Sequence, residues 1–382
     1  MNRYKENLWP DRKYITTWGA SGWTNDFMSY IILIYMAMIS DRIPVIPPFS
    51  RSHHIDADFP VHFGDIYDVA ALSESIRWPI LQWSEVKNME TGEEESLGCW
   101  SAWQLVEPEP RSSWIPFVLN LDVSYTTAPD WATLRQEKTQ SVWALVSLGF
   151  EAGRLESALQ PAQPSPKKKV ISPDEQLFCL DYIYYAGVVR RLDMFDGDYS
   201  PGWRMIGKYA KFKPSLVNLA TLRLKKHFGI PRRGQLPPFI AVHMRRGDFR
   251  SWCPDEIATE ECYGSLEAYG VRVQEVQAEL LQKRGINVTR VLVTSNEDRE
   301  SPLWDDIAAR GWGYIDHNVD AEEHSLGSWL LPVLDAIFHS MSIGFVGTQE
   351  STMSLMGRLR VEQWNGGVTR SVRWGSKNAD DH

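Results

Sequence analysis

Beyond residue 238 the chain alternates between strand-like and helix-like stretches almost without exception, and few folds accept such an order. Residues 239–243 have the apolar composition of a buried strand. Residues 265–281 carry Tyr269, Val273, Val276 and Leu280 on one helical face, and residues 290–294 return to strand composition. Ser301, Pro302 and Gly311 mark the start and stop of another helix. A short strand at Tyr314 and Ile315 follows, then a helix over 329–339, a strand over 343–346, and a last helix opened by Ser351. Successive parallel strands need a crossover, usually a helix, so this order predicts a doubly wound parallel sheet.

The first half carries a shorter version of the same signal. Residues 13–18 have β composition, Gly19-Ala20-Ser21-Gly22 interrupts it, residues 25–39 form a long apolar helix, and residues 43–46 are again a strand. A glycine-containing turn of this kind brings backbone N–H groups close to a phosphate or sugar; the alternative is an ordinary strand-to-helix loop. Residues 86–135, with Glu93-Glu94-Glu95 and many Trp and Pro, lack a clean period and read as irregular connections. Residues 160–169 read as an exposed loop whose Lys167, Lys168 and Lys169 are solvated. A length of 382 residues accommodates two domains, and the Pro- and Gly-rich break at 231–238 divides them into residues 1–230 and 231–382.

Composition limits the partners. Hydrophobic residues at 43% and charged residues at 23% describe a water-soluble globular chain with sizeable cores. A net charge of -9 excludes whole-chain recognition of a nucleic-acid backbone, so an anionic ligand must be met locally. The most apolar stretch, 27–40, is too short to span a bilayer and Ser29 interrupts it, so no membrane contact is expected. The first residues lack the apolar core of a signal peptide, which leaves a cytoplasmic protein or a chain that follows a removed leader or anchor. The sequon Asn287-Val288-Thr289 and the close pair Cys253 and Cys262, which can bridge in an oxidising lumen, favour the ER, Golgi or wider secretory route.

Ligands of open α/β sheets sit beyond the carboxyl ends of the strands, so the residues just after each strand are the informative ones. Here they are His243, Arg245, Arg246 and Asp248 after one strand, Ser295 and Asn296 after the next, and Gly347, Thr348, Ser351 and Thr352 after the last. Two arginines and a hydroxyl-rich helix start make a site for a phosphorylated anion; the alternative is a structural network of both arginines with Asp248 and neighbouring acids. Neither a P-loop nor a dinucleotide fingerprint is present. The triplets Asp56-Ala57-Asp58 and Asp196-Gly197-Asp198 have the two-carboxylate pattern of a divalent-metal site but follow no buried strand. His53-His54 has no partner cluster, the cysteines lack zinc spacing, and Arg246-Gly247-Asp248 ends a buried strand, where an adhesion loop is out of place.

These residues resemble a known family. His243-Met244-Arg245-Arg246-Gly247-Asp248-Phe249 is similar to a signature segment of the GDP-fucose protein O-fucosyltransferases, shared with the α1,6- and α1,2-fucosyltransferases. Asp335, then Phe345-Val346-Gly347-Thr348, then Ser351-Thr352-Met353-Ser354 resembles that family's late motif. Gly19 to Asn25 looks like its N-terminal glycine-rich loop, and Ile46-Pro47-Pro48 like the strand after it. The resemblance, to a fungal-type member in particular, implies a GT-B fold of two facing Rossmann-like domains, the first on the acceptor side and the second holding a GDP-sugar. It implies an inverting transfer of fucose from GDP-fucose to a protein Ser/Thr or a glycan hydroxyl, by a monomer that needs no cofactor and no metal. Carried over by motif, Arg245 contacts the β-phosphate, Asp248 lies beside it, and His243 and Asp335 surround the nucleoside. Ser351, Thr352 and Met353 line the phosphates and base, and Ser21, Gly22, Trp23 and Asn25 form the loop that meets substrate. Thr24 is the other candidate for the loop's asparagine position.

One position departs from the pattern. Some members carry Glu where this chain has Ser21, and a serine is no base at neutral pH. The expectation is therefore a strongly dissociative transfer needing little base assistance, with Asp26 and Asp248 as the remaining carboxylate candidates. Two other readings stand beside this one: a GT-B enzyme using another sugar nucleotide, and a non-catalytic GDP-sugar-binding homologue.

Overall fold

The computed structural model describes residues 3–51, 55, 59–89, 92–134, 139–187, 200–315 and 325–380. It divides into two compact units, Met1–Lys213 and Pro214–His382. In unit 1 the main elements are β1 (Tyr14–Thr17), α1 (Trp23–Ile39), β2 (Ile43–Ile46), β3 (Leu81–Gln82), β4 (Glu95–Ser101), β5 (Leu121–Thr127), β6 (Ala162–Gln163) and β7 (Leu177–Leu180). Their sheet runs in the order β3-β2-β1-β7-β4-β5-β6. Its pairings are parallel except at the β5–β6 edge, where Tyr125 opposes Gln163. A small separate sheet joins Thr133–Leu134, Thr139–Ser141 and Ala186–Gly187.

α1 is apolar nearly all round, from Phe27 through Ala37, and is buried nearly all round, as a helix inside a layered core must be. Its start is set by the glycine loop, and Ser40 ends it by turning its N–H and hydroxyl back to the Met36 carbonyl.

Residues 86–135 are not irregular: they hold β4 and β5, two of the longest strands of unit 1. The period is hidden because the inward positions include polar residues. Glu95, Ser101, Asp122, Ser124 and Thr126 are all buried. Each of the acids has partners: Lys87 and the Tyr4 N–H for Glu95, the Ser165 hydroxyl and Lys167 N–H for Asp122. Cys99 of β4 and Cys179 of the neighbouring β7 form a buried disulfide that the sequence pattern did not disclose.

Unit 2 contains α2 (Pro214–His227), β8 (Ile240–Met244), α3 (Leu266–Arg284), β9 (Val291–Ser295), α4 (Leu303–Ala309), β10 (Gly313–Tyr314), α5 (Leu330–Met341), β11 (Gly344–Thr348), α6 (Thr352–Asn365) and β12 (Val368–Val372). The sheet is parallel throughout its described pairings, in the order β10-β9-β8-β11-β12. Ile240, Val242, Met244, Val291, Val293 and Val346 pack against Val273, Val276 and Leu280 of α3. The unit begins at Pro214, ahead of the boundary near residue 230. The reason is α2, whose Leu216, Ala220 and Leu224 are buried and which packs on α5, so the break at 231–238 is an internal loop leading into β8. Among the described residues no helix is long and apolar enough to cross a membrane.

Candidate functional site

In unit 2 the first strand of the sheet in sequence, β8, lies at its centre, with β9 and β10 on one side and β11 and β12 on the other. Winding reverses between β8 and β11, and an open parallel sheet leaves a crevice there beyond its strand ends. His243 is in register with Gly347 at this point. Arg245 N–H donates to Thr348 Oγ1 at 2.7 Å, and Thr348 Oγ1 donates to the His243 carbonyl at 3.1 Å and meets the Tyr269 hydroxyl at 2.6 Å. Thr348 N–H donates to Ser354 Oγ at 3.0 Å, and that oxygen lies 2.7 Å from His243 Nδ1. Ser351 caps α6 by accepting from Ser354 N–H at 3.4 Å. The positive end of α6 therefore begins beside the reversal of winding, among hydroxyls. Glu350, just before the cap, has φ 65, a left-handed conformation uncommon for a side chain of its size.

Both arginines are ion-paired, as the structural-network alternative has it, but to different acids and with different exposure. Arg246 is buried, ion-paired to Glu260 and Glu297, and lies over the Tyr263 ring at 4.4 Å. Arg245 has an ion pair to Asp248 at 2.9 Å, a side chain 15% exposed, and the Phe249 ring 5.5 Å from its guanidinium. Burial lowers its pKa and Asp248 opposes the shift. Asp248 also accepts from Asn296 Nδ2 at 3.0 Å. The turn that permits this needs Gly247, at φ 49, since a Cβ there would lie 2.7 Å from Asn296 Nδ2.

Two buried histidines stand behind the crevice. Burial holds His243 well below its ordinary range, with His339 and Arg245 acting in the same direction. Burial also brings His339 down to about 4, against the pull of Asp335 one turn earlier on α5. Both rings are neutral at neutral pH, their centroids are 5.2 Å apart, and His339 Nε2 meets Thr294 Oγ1 at 2.7 Å.

Unit 1 shares part of that topology with different chemistry: its sheet winds outward from β1 through β2 to β3, and on the other side β7, the last of its strands in sequence, is inserted beside β1 ahead of β4 and β5. Its winding reverses between β1 and β7. Across that reversal Ser21 Oγ meets the Tyr182 hydroxyl at 2.7 Å. The loop's polar groups are engaged one after another. The Gly19 carbonyl accepts from Ser113 Oγ at 2.5 Å, the Ala20 carbonyl accepts from Arg111 Nη2 at 2.9 Å, and the Ala20 and Ser21 N–H groups donate to Asp26 Oδ1 at 3.1 and 3.2 Å. The Arg111 guanidinium lies 4.9 Å from the Trp103 ring and 5.1 Å from the Tyr182 ring. Asp181, at the end of β7, accepts from Ser101 Oγ and the Ala102, Trp103 and Arg111 N–H groups. Burial pushes Asp181 up to about 6 in spite of those bonds.

His243, Arg245, Asp248 and Ser351 thus come together at one strand-end crevice. Thr352 and Met353 open α6 beside them, and Asp335 stands on α5 behind the histidines. Ser21, Gly22 and Asn25 belong to the loop of unit 1, but Trp23 is 5% exposed and packs between Phe49 and Tyr67. Cys253 and Cys262 are joined in a disulfide that closes the segment after Arg245. Asn287 and Thr289 are exposed around buried Val288, ahead of β9. His53, His54 and the triplets beginning at Asp56 and Asp196 lie outside the described residues, and among the described ones no group of three or more His, Cys, Asp or Glu is placed to hold a metal. Sequence reasoning passed over Asp181 and Tyr182, which the strand-end rule would reach once 177–180 is read as a strand. It also passed over Trp103 and Arg111, which lie in the stretch taken as irregular.

Two units, each with a parallel-dominated sheet that extends to both sides of its first strand and gathers polar residues beside that strand, define a Rossmann-type α/β protein of the GT-B class. No family model matches the chain, and no curated protein sequence does. Among solved structures, POFUT1 in its apo form superposes with a TM-score of 0.55 at 14% identity, over 96% of this chain and 99% of that one. POFUT1 in complex with GDP-fucose gives 0.55 and 14% over 97% and 99%. The fucosyltransferase NodZ from Bradyrhizobium gives 0.45 and 12% over 92% and 94%. The POFUT1 likeness establishes a shared fold, the one that the motif resemblance implied.

Proposed function

We propose that the protein is an inverting glycosyltransferase that moves fucose from GDP-fucose to a hydroxyl group, with Ser or Thr of a protein as acceptor. The observation that carries this reading is Arg245, a partly exposed guanidinium where a parallel sheet reverses its winding, beside a capped helix start and the hydroxyls of Thr348, Ser351 and Ser354. It is supported by the fold shared with POFUT1, which has been crystallised with GDP-fucose. In this reading the acceptor oxygen bonds to C1 of fucose as the bond from C1 to the β-phosphate oxygen breaks. The electron pair stays on that oxygen, and the acceptor's proton passes to water. Negative charge grows on the departing GDP, where a permanently charged, planar donor of two hydrogen bonds is most effective. Asp248 orients Arg245. His243 and Asp335 serve the nucleoside, Ser351, Thr352 and Met353 the phosphates and base, and Ser21, Gly22 and Asn25 the acceptor side.

Ser21 supplies no base, so the reading takes a dissociative, oxocarbenium-like step in which the acceptor's proton leaves late. Arg245 and the positive end of α6 supply the positive charge that a metal supplies elsewhere. The compartment proposed is the secretory route, where both disulfides persist and Asn287 carries an N-glycan, seen as a mass loss on peptide N-glycosidase treatment. The test of the donor is thermal denaturation with ligands. GDP and GDP-fucose at about 100 times their Kd should each stabilise the native state by about 2.7 kcal/mol, and UDP-sugars should not. Equal stabilisation by UDP-glucose sinks the GDP assignment.

A further inference from the structure

Asp26 lies at the centre of the glycine loop, and the transfer chemistry above makes no use of it. It stands in the first turn of α1 and is 1% exposed, and its two oxygens differ. Oδ1 receives the Ala20 and Ser21 N–H groups. Oδ2 is buried without a hydrogen-bond partner among the described residues. It lies so close to Gly19 that a Cβ there would come within 2.6 Å of Oδ2 and of the Tyr30 hydroxyl. Gly19 is therefore what lets the carboxyl sit under the loop.

The groups facing Asp26 are Arg111 from the segment after β4, Tyr30 from its own helix, and Tyr182 and Tyr184 from the segment after β7. Arg111 is engaged by the Ala20 carbonyl and two aromatic rings, and acts on the carboxyl through its charge. Burial raises the three phenols, so they are neutral. An ionised carboxylate in this place would be stripped of water with one oxygen bare. A carboxylic acid keeps a carbonyl oxygen for both N–H groups and carries no charge to desolvate.

We propose that Asp26 is a positioning residue that holds the glycine loop in its carboxylic-acid form, with the carbonyl oxygen receiving the Ala20 and Ser21 N–H groups. Burial pushes Asp26 up to about 8; the two N–H bonds and Arg111 pull the other way and do not overcome it, and the helix end acts in their direction over a short range. Asp26 is thereby removed from the candidate bases, since it holds a proton at neutral pH and has no exposed oxygen with which to reach an acceptor. The inference rests on the proposed fucosyl transfer for its kinetic effect, though not for its effect on the loop.

Parent, Asp26→Ala and Asp26→Asn are compared by GDP release from GDP-fucose with acceptor, from about pH 6 to about pH 10. Parental kcat/KM should fall as pH passes about 8. Asp26→Ala, with nothing to receive the loop N–H groups, should be slow at every pH. Asp26→Asn presents a carbonyl to those N–H groups and an N–H where the acid has its O–H, so it should rescue transfer and lose the alkaline fall. Independently of activity, the infrared difference between parent and Asp26→Asn at neutral pH should show a carboxylic-acid carbonyl band that disappears along the same alkaline limb. An Asn variant that is folded yet as slow as the Ala variant overturns the proposal, because the ionised form would then be the working one. Absence of the acid band at neutral pH overturns it too. If the parent releases no GDP with any acceptor, the fucosyl reading fails, and the infrared band still decides the state of Asp26.

Discussion

After β8 the chain places two arginines; after β1 it places Trp18, Gly19, Ala20, Ser21 and Gly22. Both segments lie where a parallel sheet reverses its winding, and both are drawn across the reversal by hydrogen bonds, Arg245 to Thr348 in unit 2 and Ser21 to Tyr182 in unit 1. One crevice is cationic, with Arg245 and a helix start. The other gathers Tyr182, Trp103, a buried carboxyl and an arginine already enclosed by rings. Each sheet supplies a place beside its first strand, and the few residues after that strand decide its chemistry, which in the proposed function is a diphosphate leaving group for unit 2 and an acceptor hydroxyl for unit 1.

The disulfides extend the contrast, and removing them should have the largest effects. Cys99–Cys179, with a sequence separation of 80, braces neighbouring strands of unit 1. Cys253–Cys262, with a separation of 9, closes a short loop after Arg245. Chain entropy assigns about 4 to 5 kcal/mol to the long closure and about 2 to 3 kcal/mol to the short one. Denaturant unfolding of Cys99→Ala/Cys179→Ala and Cys253→Ala/Cys262→Ala should rank them so, with only the second pair weakening GDP binding. Mass spectrometry that alkylates any of the four thiols without reduction, in protein from a secretory host, removes the basis for this ranking.

Arg245→Lys tests the cationic side. Lysine keeps the charge and loses the planar fork, so the donors for the β-phosphate oxygens are no longer in place before charge develops. The loss expected is on the order of 100- to 1,000-fold in transfer, or about 3 to 4 kcal/mol, with circular dichroism unchanged. Parental turnover in Arg245→Lys would mean that the strand-end cation of unit 2 is structural, like Arg246.

The two regions should also titrate in opposite directions. His339 is lowered from 6.5 to about 4 by burial first, so the unfolded chain takes up its proton more readily. Stability present above about pH 6.5 is then lost as pH falls toward 4, by about 3 kcal/mol in all. Asp26 is raised from 3.8 to about 8, so its contribution is present below 3.8 and is lost as pH rises through 8. His339→Gln, which keeps a partner for Thr294, should flatten the acid limb of unfolding and leave the alkaline limb alone. An acid limb as steep in the variant as in the parent shows that unit 2's crevice does not depend on a neutral His339.

Legibility followed the same division. The strands of unit 2 are short apolar runs such as Ile240-Ala241-Val242, which parallel sheets covered on both faces favour, and Ser351 and Gly366 bracket α6 with an N-cap and a left-handed C-cap. Reading the residues after those strands reached Arg245, Thr348 and Ser351 directly. In unit 1, β4 and β5 bury Glu95, Asp122 and Ser124, and no count of apolar positions reveals a strand whose inward residues are polar and partnered. Once those strands are missed, Trp103 and Arg111 have no element to follow. The domain boundary escaped for a related reason: proline and glycine show where the chain turns, whereas the side on which α2 packs depends on contacts with α5 far along the sequence.

The smallest expected effect is the sharpest test of the neutral side. Ser21 stands where some members of the resembling family carry a glutamate, and here its hydroxyl bonds to Tyr182, a residue 2% exposed. Ser21→Ala removes one hydrogen bond and leaves the Tyr182 hydroxyl short of a partner, a cost of about 1 kcal/mol, or roughly fivefold in transfer. Tyr182→Phe should cost about the same, and the double variant should be little worse than either single one, because both substitutions delete one bond and groups in contact do not add. Arg111, Asp26 and Ser113 continue to hold the loop through its backbone in all three variants, which is why the loss stays small. GDP release measured beside Arg245→Lys makes the comparison direct. If Ser21→Ala falls as far as Arg245→Lys, the glycine loop contains a catalytic group, and the distinction between a charged crevice in unit 2 and a neutral one in unit 1 is lost.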